Sequence, residues 1–354
     1  MNEVLGTERR RYILEAVRRR GSVQVAGLAA ELGVTGMTIR RDLAILAERG
    51  AVDRVHGGAV TPAEANRLVR DRPLTIAMVV PTLGYWWGPL AQAVRTEAAG
   101  RGMRLVVTES RSYGRDTQEI VSQLRQTSRI DGFLLSPPTE GPERREIDEW
   151  LATLDAPVVL VEREPGDTRL HDVSSVGTNG VVGAALAVHH LHGRGHRRIA
   201  FMAPASGPGV PARIEGWRRA LIDLDLPAPA DWRYTSVSLT ASHRDRQLGP
   251  VLDAMAADGV TGVLVVGDPH ALALMDACRD RGVVIPRDLS VIGYDDELAA
   301  LADPPLTSVQ PPRHELAEIA VRLVTDRLLR PERVAQQVLI APRLTIRAST
   351  APPA

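Results

Sequence analysis

Several kinds of residue are scarce in this sequence, and each scarcity limits what the chain can be. Cys278 is the single cysteine among 354 residues, so neither an intramolecular disulfide nor a cluster of thiolate metal ligands can form, as is usual in a reducing compartment. No apolar run approaches the roughly 18 residues that a membrane helix requires. The segment after Arg11 is charged and amphipathic, unlike the apolar part of a signal peptide. These absences predict a cytoplasmic protein that makes no contact with a membrane.

Lysine is absent, since all 43 basic residues are arginines, and 43 acidic residues bring the formal net charge to zero. A codon bias of the genome explains the missing lysine, which therefore indicates no function. The zero net charge excludes a globally basic DNA-binding protein but leaves room for a local basic surface. Residues 1–60 carry ten arginines against seven acidic residues, and arginine forks suit phosphates and guanine edges.

Apolar residues recur at helical spacing in three segments of the first fifty residues, which predicts three helices. The first two are Glu8–Arg19 and Val25–Leu32, each followed by a glycine that ends it. Thr35 can cap the third helix, because its hydroxyl can accept a hydrogen bond from an early helical N–H. The outer surface near the start of this third helix is where recognition helices read bases. The polar residues there are Thr38, Arg40 and Arg41.

The ten residues that follow the third helix indicate a hairpin. Ala51 to Val60 alternates around His56-Gly57-Gly58, and glycine pairs of this kind favour tight turns between strands. A hairpin beside a recognition helix is a wing, which can touch the minor groove or flanking phosphates.

Residues 9–60 resemble the DeoR-type winged helix-turn-helix. The matching elements, in chain order, are Arg11…Ile13-Leu14, Leu28-Ala29…Leu32-Gly33-Val34, Thr38-Ile39-Arg40-Arg41-Asp42-Leu43 and Val55-His56-Gly57-Gly58-Ala59. The chain departs from the family at Thr35, where serine is usual, and at Gly36, which costs about 1 kcal/mol against alanine in a helix. The resemblance implies DNA contacts at Thr38, Arg40 and Arg41, with Thr35, Arg54 and His56 in support. The alternative is a solvated face in which Asp42 pairs with a neighbour.

A polar stretch, residues 61–73, separates this domain from the rest of the chain. It is bounded by Pro62 and Pro73 and has no strong periodicity, which is typical of a domain connector. Leu68 and Val69 are its only candidates for the hinge helix found at this point in lactose-repressor-type proteins, and they make no convincing equivalent.

From Leu74 onward, short apolar strands alternate with amphipathic helices, in two successive series. Alternation of this kind predicts parallel sheets with helices on both faces, and two series predict two lobes. We assign lobe 1 to about 74–177 and 311–330, and lobe 2 to about 178–308 and 335–349, with a tail at 350–354. In such folds a ligand binds beyond the carboxyl ends of the strands.

The residues just after the predicted strands share a chemistry that suits a sugar. Carboxylates and an arginine can exchange paired hydrogen bonds with vicinal hydroxyls, and aromatic faces can cover the apolar side of a sugar ring. The alternative for the three consecutive aromatic residues, Tyr85, Trp86 and Trp87, is that they pack into the core and hold their loop in place. The candidates are Tyr85, Trp86 and Trp87, then Ser136, Glu162, Arg163, Asp268 and Asp295.

Residues 74–349 resemble the sensor domain of lactose/galactose-type repressors, which shares its fold with periplasmic sugar-binding proteins. The matching stretches include Gly195-His196-Arg197-Arg198-Ile199-Ala200, Ala212-Arg213-Ile214-Glu215-Gly216-Trp217, Ile285-Pro286…Leu289-Ser290-Val291-Ile292-Gly293-Tyr294-Asp295-Asp296 and Pro305-Leu306-Thr307-Ser308-Val309.

This second resemblance assigns roles to particular residues. It implies that Arg213 and Asp295 hold sugar hydroxyls, that Tyr85 and Trp86 cover the ring, and that Glu162 and Arg163 contact the ligand. Asp268 lies in an element where the family has Asn-Asp, but Gly267 replaces the asparagine here. Asp268 is therefore either a ligand contact or a helix cap, and Asp296 is expected to be structural.

Other chemistry is weakly represented. His189 and His192 share a helix face, but the family's own histidine-containing segment explains them without a metal. The chain has no phosphate-binding loop, no GxSxG and no HExxH motif. No paired general acid and base is recognisable. We therefore expect no metal, no cofactor and no enzymatic activity.

Together these features predict a DNA-binding transcription regulator, with a repressor favoured over an activator. A homodimer would bind a two-fold-related operator, and a small sugar or related polyol bound between the sensor lobes would control operator affinity. The alternatives are a sugar-binding module without regulatory output and an enzyme of the sugar phosphate isomerase kind. The missing signal peptide and the winged domain count against the first, and the missing acid–base pair against the second.

Overall fold

The computed structural model describes residues 2–48, 50–55, 57–61, 73–110, 116–138, 144–165, 168–205, 207, 209–229, 232–236 and 241–354. The predicted DNA contact His56 and the hinge-helix candidates Leu68 and Val69 lie outside these residues. The described chain forms a small N-terminal domain and two α/β lobes. None of its described helices is long and apolar enough to cross a membrane.

The N-terminal domain has the predicted three helices and hairpin. Its elements are α1 (Asn2–Arg20), β1 (Ser22–Gln24), α2 (Val25–Leu32), α3 (Gly36–Glu48), β2 (Asp53–Val55) and β3 (Gly58–Val60). The sequence did not predict β1, which pairs antiparallel with β3 and makes a three-stranded sheet in the order β1-β3-β2. A side chain at Gly58 would place its Cβ 2.0 Å from the carbonyl oxygen of Val23, so this close pairing requires glycine.

Lobe 1 is built on a six-stranded parallel sheet in the order β14-β8-β7-β6-β4-β5. Its central strands are buried on both faces, as expected when helices cover a parallel sheet. The strands are β4 (Thr75–Val80), β5 (Arg104–Glu109), β6 (Gly132–Leu135), β7 (Val158–Val161), β8 (Ser174–Thr178) and β14 (Gln337–Ile340). The helices are α4 (Trp87–Gly100), α5 (Thr117–Thr127), α6 (Arg144–Thr153) and α11 (Arg313–Leu329).

Lobe 2 is built on a second six-stranded sheet, in the order β10-β9-β11-β12-β13-β15, parallel except for β15. Its strands are β9 (Ile199–Pro204), β10 (Arg233–Ser236), β11 (Gly262–Val265), β12 (Ser290–Tyr294), β13 (Thr307–Gln310) and β15 (Arg343–Thr345). Its helices are α7 (Gly180–Gly193), α8 (Val210–Asp223), α9 (Ala241–Ala257) and α10 (Asp268–Asp280).

The chain passes between the lobes three times, which corrects one predicted boundary. The passages lie between β8 and α7, between β13 and α11, and between β14 and β15. We had assigned all of 335–349 to lobe 2, but Gln337–Ile340 pairs in parallel with Ser175–Thr178 of lobe 1. The reason is that an edge strand has a partner on one side only, so its short alternating pattern carries no information about which sheet it joins.

Candidate DNA-binding surface and effector cleft

The start of α3 has the cap that the sequence predicted. The Thr35 hydroxyl accepts a hydrogen bond from the Thr38 N–H at 3.2 Å and lies 3.0 Å from the Thr38 hydroxyl. This bond satisfies one of the free N–H groups at the helix start. The two threonine hydroxyls are therefore held together at the end of the helix that faces outward.

Two guanidinium groups stand on the exposed side of α3. Arg40 and Arg41 are both exposed, and Met37 beside them is 77% exposed. The next residue, Asp42, turns inward and is buried, because successive helical residues are about 100° apart. Its carboxylate contacts arginines of α1 rather than Arg40 or Arg41, so it does not pair with these neighbours as the alternative supposed.

The wing lies beside this helix. Arg54 is exposed on β2, opposite Ala59 of β3. The turn is fastened to α2, since the Val25 N–H donates to the carbonyl oxygen of Gly57 at 2.9 Å. The wing therefore has a fixed place relative to the helix-turn-helix.

A group of polar side chains meets between the lobes, at the carboxyl ends of their strands. Glu162 follows β7, Tyr85 follows β4, Asp295 follows β12, and Arg213 stands on α8. Arg213 interacts electrostatically with both Asp295 and Glu162. The structure therefore brings four of the seven predicted ligand residues into one cluster, which we call the effector cleft.

Arg213 lies flat against an aromatic ring. Its guanidinium carbon is 4.3 Å from the ring centroid of Tyr294, within the range of a cation–π contact. Burial lowers the pKa of Arg213, but Tyr294 and Asp295 more than offset that effect and raise it. The arginine is therefore a fixed cation that presents N–H donors to the cleft.

The surroundings of Asp295 in the cleft shift its pKa strongly upward. Burial raises its pKa to about 7, with Asp268 and Glu162 acting in the same direction and Arg213 and Tyr85 opposing them. Its backbone has a φ of 102°, a conformation that few residues other than glycine adopt and that aspartate tolerates better than most. The turn after β12 thus directs this carboxylate into the cleft at some conformational cost.

Glu162 is held by Thr178, the last residue of β8 before the chain passes to lobe 2. One of its oxygens, Oε1, accepts hydrogen bonds from the Thr178 hydroxyl at 2.7 Å and the Thr178 N–H at 3.1 Å. Its backbone φ is also positive, at 54°. The carboxylate is therefore fixed in orientation.

The aromatic trio divides between cleft and core. The Tyr85 hydroxyl accepts a hydrogen bond from the Asp268 N–H at 3.0 Å and interacts with the Asp295 carboxylate. Trp86 is only 8% exposed within the core of lobe 1, and the guanidinium carbon of Arg313 lies 5.2 Å from its ring centroid. The core-plug alternative therefore describes Trp86 better than the predicted sugar contact does, whereas Tyr85 faces the cleft.

Asp268 does not present its carboxylate to a ligand. The side chain is fully buried, and Oδ2 accepts hydrogen bonds from the N–H groups of Glu297 and Leu298, each at 2.7 Å, and of Ala299 at 3.2 Å. Oδ1 accepts another from the Ser308 hydroxyl at 3.2 Å. The predicted ligand contact is corrected to a brace for the turn after β12, because these donors already occupy both oxygens.

Arg163 is likewise occupied within the protein. It is 4% exposed, its Nε donates to the carbonyl oxygen of Pro137 at 2.5 Å, and its Nη1 donates to the carbonyl oxygen of Glu162 at 2.7 Å. Its guanidinium carbon lies 5.6 Å from a ring centroid of Trp87. We had predicted a ligand contact, but these bonds make Arg163 a tie between the loops that follow β6 and β7.

Three residues near the cleft escaped the sequence analysis. Tyr294 directly precedes Asp295, and its ring lies beneath the cleft. The signal in the sequence that could have identified it is its position at the end of a buried strand, next to a predicted ligand residue. Arg313 and Glu297 form an ion pair between α11 of lobe 1 and lobe 2. Neither had a sequence signal, because the pair joins positions that only the passage between the lobes brings together.

His190 of α7 and His196, which follows that helix, have protein partners. His190 Nε2 lies 2.9 Å from the Thr350 hydroxyl, and His196 lies 2.8 Å from both the Thr261 hydroxyl and the carbonyl oxygen of Ala351. Among the described residues, no group of three or more potential ligands is placed to hold a metal ion. These histidines fasten the C-terminal tail to lobe 2.

Comparison with known protein families assigns both parts of the chain. The sequence profile of a DeoR-like helix-turn-helix domain matches residues 9–65, and that of a periplasmic binding protein-like domain matches residues 188–350. These matches fall on the domain that carries the exposed arginines and on the lobe that carries Arg213 and Asp295.

Individual proteins are similar to this chain over most of their length. An uncharacterised helix-turn-helix-type transcriptional regulator from the aml 5′ region of Streptomyces limosus is 33% identical over 300 residues, 80% of this chain and 81% of the relative. The ribose operon repressor of Escherichia coli strain K12 is 28% identical over 295 residues, 81% of this chain and 85% of the relative. The crystal structure of a LacI family transcriptional regulator from Enterococcus faecium with bound ribose is similar with a TM-score of 0.64 at 25% identity, and the match covers 78% of this chain and 99% of that one.

Proposed function

This chain belongs to the LacI family of transcriptional regulators, with a DeoR-like helix-turn-helix domain in front of the sensor; we propose that it is a repressor whose operator affinity a small sugar controls. The observation that carries the proposal is that one chain has two features. The first is a helix on which Arg40 and Arg41 are exposed. The second is a cleft in which Arg213 interacts with Asp295 and Glu162.

On the DNA side, α3 lies in the major groove with Arg40 and Arg41 as the principal contacts. Bidentate arginine contacts to guanine edges discriminate between bases, and the exposure of both guanidinium groups supports this role. Thr35 and Thr38 contact the phosphate backbone near the helix start, and Arg54 does so from the wing. His56, at the predicted tip of the wing, completes the proposed set.

On the sensor side, the ligand is a small neutral sugar or polyol. Arg213 supplies donors, while Asp295 and Glu162 supply acceptors, which together suit adjacent hydroxyl groups. Arg213, the cation among these four residues, already faces the carboxyl groups of Asp295 and Glu162, so a phosphate group would have to compete with them for it. Ribose is the first probe to try, because two of the relatives carry it in their names.

The two activities are coupled through the lobes. We propose that the sugar binds between them and stabilises a closed arrangement, and that closure changes the placement of the DNA-binding domains in a homodimer. A two-fold dimer would match a palindromic operator, and coupling free energies of about 1–3 kcal/mol are typical. The proposed domains are 1–60, a linker at 61–73, the sensor at 74–349 with 337–340 now in lobe 1, and a tail at 350–354.

The test begins with selection of sheared DNA from the source genome by the purified full-length chain, followed by sequencing of the bound fragments. We expect a palindromic site near genes of carbohydrate uptake or breakdown. The double variant Arg40→Ala/Arg41→Ala should lose this enrichment. The double variant Arg218→Ala/Arg219→Ala is the matched control, because it removes an exposed arginine pair from α8 of the sensor and should enrich the same site.

A second measurement addresses the sensor. Ribose and a panel of neutral pentoses, hexoses and polyols are titrated into the protein by calorimetry, and each binder is then added to the operator complex. A binder that releases operator DNA supports the repressor. If no fragment is enriched but a sugar binds, the chain is a sugar-binding module without regulatory output, and turnover of any sugar would make it an enzyme.

A further inference from the structure

We propose that Asp42, held between Arg9 and Arg10 of α1, is a positioning residue that sets the rotation of the recognition helix α3 and so determines operator specificity. This inference rests on the proposed function in DNA binding. It concerns a residue that points away from the DNA-reading surface of α3 and would not itself touch a base.

The three side chains form a compact group, which we call the Asp42 clasp. Arg9 Nε lies 2.5 Å from Asp42 Oδ2, and Arg10 Nη1 lies 3.3 Å from Asp42 Oδ1. The aspartate side chain is 3% exposed, against 21% and 22% for the two arginine side chains. Each carboxylate oxygen is thus fixed by a different residue of α1, so that the pair of contacts defines a direction as well as a distance.

Apolar packing alone leaves this direction poorly defined. The buried faces of α1 and α3 meet through Ile13 and Val17 on one side and Ile39 and Leu43 on the other, and hydrophobic contact has no preferred direction. Charge-assisted hydrogen bonds do depend on orientation. A buried ion pair often adds little net stability over an apolar replacement but can favour one arrangement over others, and we assign that role to the clasp.

A small rotation of α3 is enough to matter. With its side chains, a helix has a radius of roughly 5–6 Å, so a rotation of about 20° moves a side-chain end by about 2 Å. Hydrogen bonds to base edges require donor–acceptor distances within roughly 2.7–3.2 Å. Contacts of Arg40 and Arg41 with bases would therefore be lost, whereas contacts with phosphates, which carry no sequence information, can re-form.

Two variants that open the clasp but change the net charge in opposite directions can distinguish a positioning role from simple stabilisation of the domain. An Asp42→Asn variant keeps the shape of the side chain but leaves Arg9 and Arg10 without their counter-charge, which favours sequence-independent attraction to DNA. An Arg9→Gln/Arg10→Gln variant also opens the clasp, yet it removes two positive charges. The two variants should therefore lose sequence specificity together while their non-specific affinities change in opposite directions.

The experiment measures binding of the full-length chain to a random-sequence duplex library, with the enriched motif read by sequencing and non-specific affinity read on a duplex of unrelated sequence. The variants are Asp42→Asn and Arg9→Gln/Arg10→Gln. The control is Arg18→Gln/Arg19→Gln, which makes the same change of charge at exposed positions farther along α1. All proteins are compared well below their unfolding temperatures, with circular dichroism to verify the fold.

We expect enrichment of the native motif to fall at least about tenfold in both clasp variants, the size of one lost bidentate base contact, and to be unchanged in the control. Non-specific affinity should rise in Asp42→Asn, with a steeper dependence on salt, and fall in Arg9→Gln/Arg10→Gln. Native enrichment in folded clasp variants would overturn the positioning role alone. If Asp42→Asn does not fold, the arginine variant decides the question in the same way. If the native chain itself enriches no motif, the proposed function fails and this inference fails with it.

Discussion

The hydroxyl of Tyr85 in lobe 1 accepts a hydrogen bond from the backbone N–H of Asp268 in lobe 2, at 3.0 Å. This bond joins the two lobes across the effector cleft. Tyr85 has a φ of 50°, so the loop that carries it is held in a conformation that bulky residues rarely adopt. The bond therefore reports directly on whether the lobes are together.

Replacement of Tyr85 by phenylalanine should release this contact while keeping the ring. We expect the Asp268 N–H to exchange with solvent roughly 2–10 times faster, the factor that one hydrogen bond of ordinary strength supports. Hydrogen exchange of the peptide that contains Asp268, followed by mass spectrometry, measures the effect. Tyr12→Phe is the control, because its hydroxyl contacts Glu31 in the N-terminal domain at 3.1 Å. Equal exchange at Asp268 in the native chain and Tyr85→Phe would show that the bond does not form in solution.

Replacement of Asp268 by asparagine should destabilise lobe 2 by about 3 kcal/mol, because a neutral amide cannot accept from all the buried donors that the carboxylate satisfies. Chemical denaturation measures the free energy of unfolding. Asp276→Asn on the same helix is the control, since this partly exposed residue pairs with Arg279 at the surface and should change stability by less than about 0.5 kcal/mol. Near-native stability of Asp268→Asn would restore Asp268 as a ligand candidate.

The carboxyl of Asp295 should make stability fall as pH rises from about 4 to about 7. Burial raises its pKa to about 7, above the value of about 4 for an unfolded aspartate, so the folded chain binds the proton more tightly. Its contribution is complete below about pH 4 and is lost as pH approaches about 7. Asp295→Asn removes this titration, and asparagine also tolerates a positive φ. The stability of the variant relative to the native chain should therefore increase between about pH 4 and about pH 7 and then level off.

Asp288 provides the control for this pH dependence. It is an exposed aspartate whose pKa is lowered to about 2, chiefly by a hydrogen bond from Arg287. A depressed pKa gives stability that is present above about pH 4 and is lost only as pH falls further. The stability difference between Asp288→Asn and the native chain should consequently stay constant from about pH 5 to about pH 8. The same flat profile for Asp295→Asn would contradict a raised pKa for Asp295.

Gly216 should be intolerant of a side chain. A Cβ there would lie 2.2 Å from the carbonyl oxygen and 2.7 Å from the Cα of Val181, and backbone atoms cannot move aside as a side chain can. Gly216→Ala should therefore push α8 away from α7 and lower the free energy of unfolding by about 1–3 kcal/mol. Gly193→Ala is the matched control on α7, because its Cβ would meet nothing within 4 Å. Thermal unfolding should rank the control at or above the native chain.

Patterns that reflect burial were sufficient to predict much of the fold. The apolar run Thr75–Val80 is β4, the first of the short apolar strands predicted from Leu74 onward. The three N-terminal helices follow from residues such as Ile39 and Leu43 that face the core. Both kinds of element have a periodicity that the sequence displays directly. The edge strands β1 and β10 were not predicted and β14 was placed in the wrong lobe, because three or four residues with one pairing partner display no such periodicity. The interior strands β8 and β13 were also not predicted, because each has a single valine among small or polar residues.

The roles of particular side chains were harder to predict than their positions. Strand ends correctly located Arg163 and Asp268 near the cleft, since the carboxyl ends of parallel strands meet at one edge. Their roles depend on donors and acceptors that are distant in the sequence, such as the N–H of Leu298 for Asp268. Asp42 is a similar case, because its partner Arg9 lies 33 positions away and neither residue departs from an ordinary helical pattern.

The three passages between the lobes have a mechanical consequence. The passage from β8 to α7 is a single residue, Asn179, and those from β13 to α11 and from β14 to β15 are two residues each. Segments this short span at most about 7 Å even when extended, so the lobes cannot slide past or separate from each other along that side. The relative motion that remains is a hinge rotation of the two lobes about a line through the three passages. A molecule that held Tyr85 near Asp295 would therefore act on one angle, and the repressor proposed above would have to transmit a change in that angle to its DNA-binding domain.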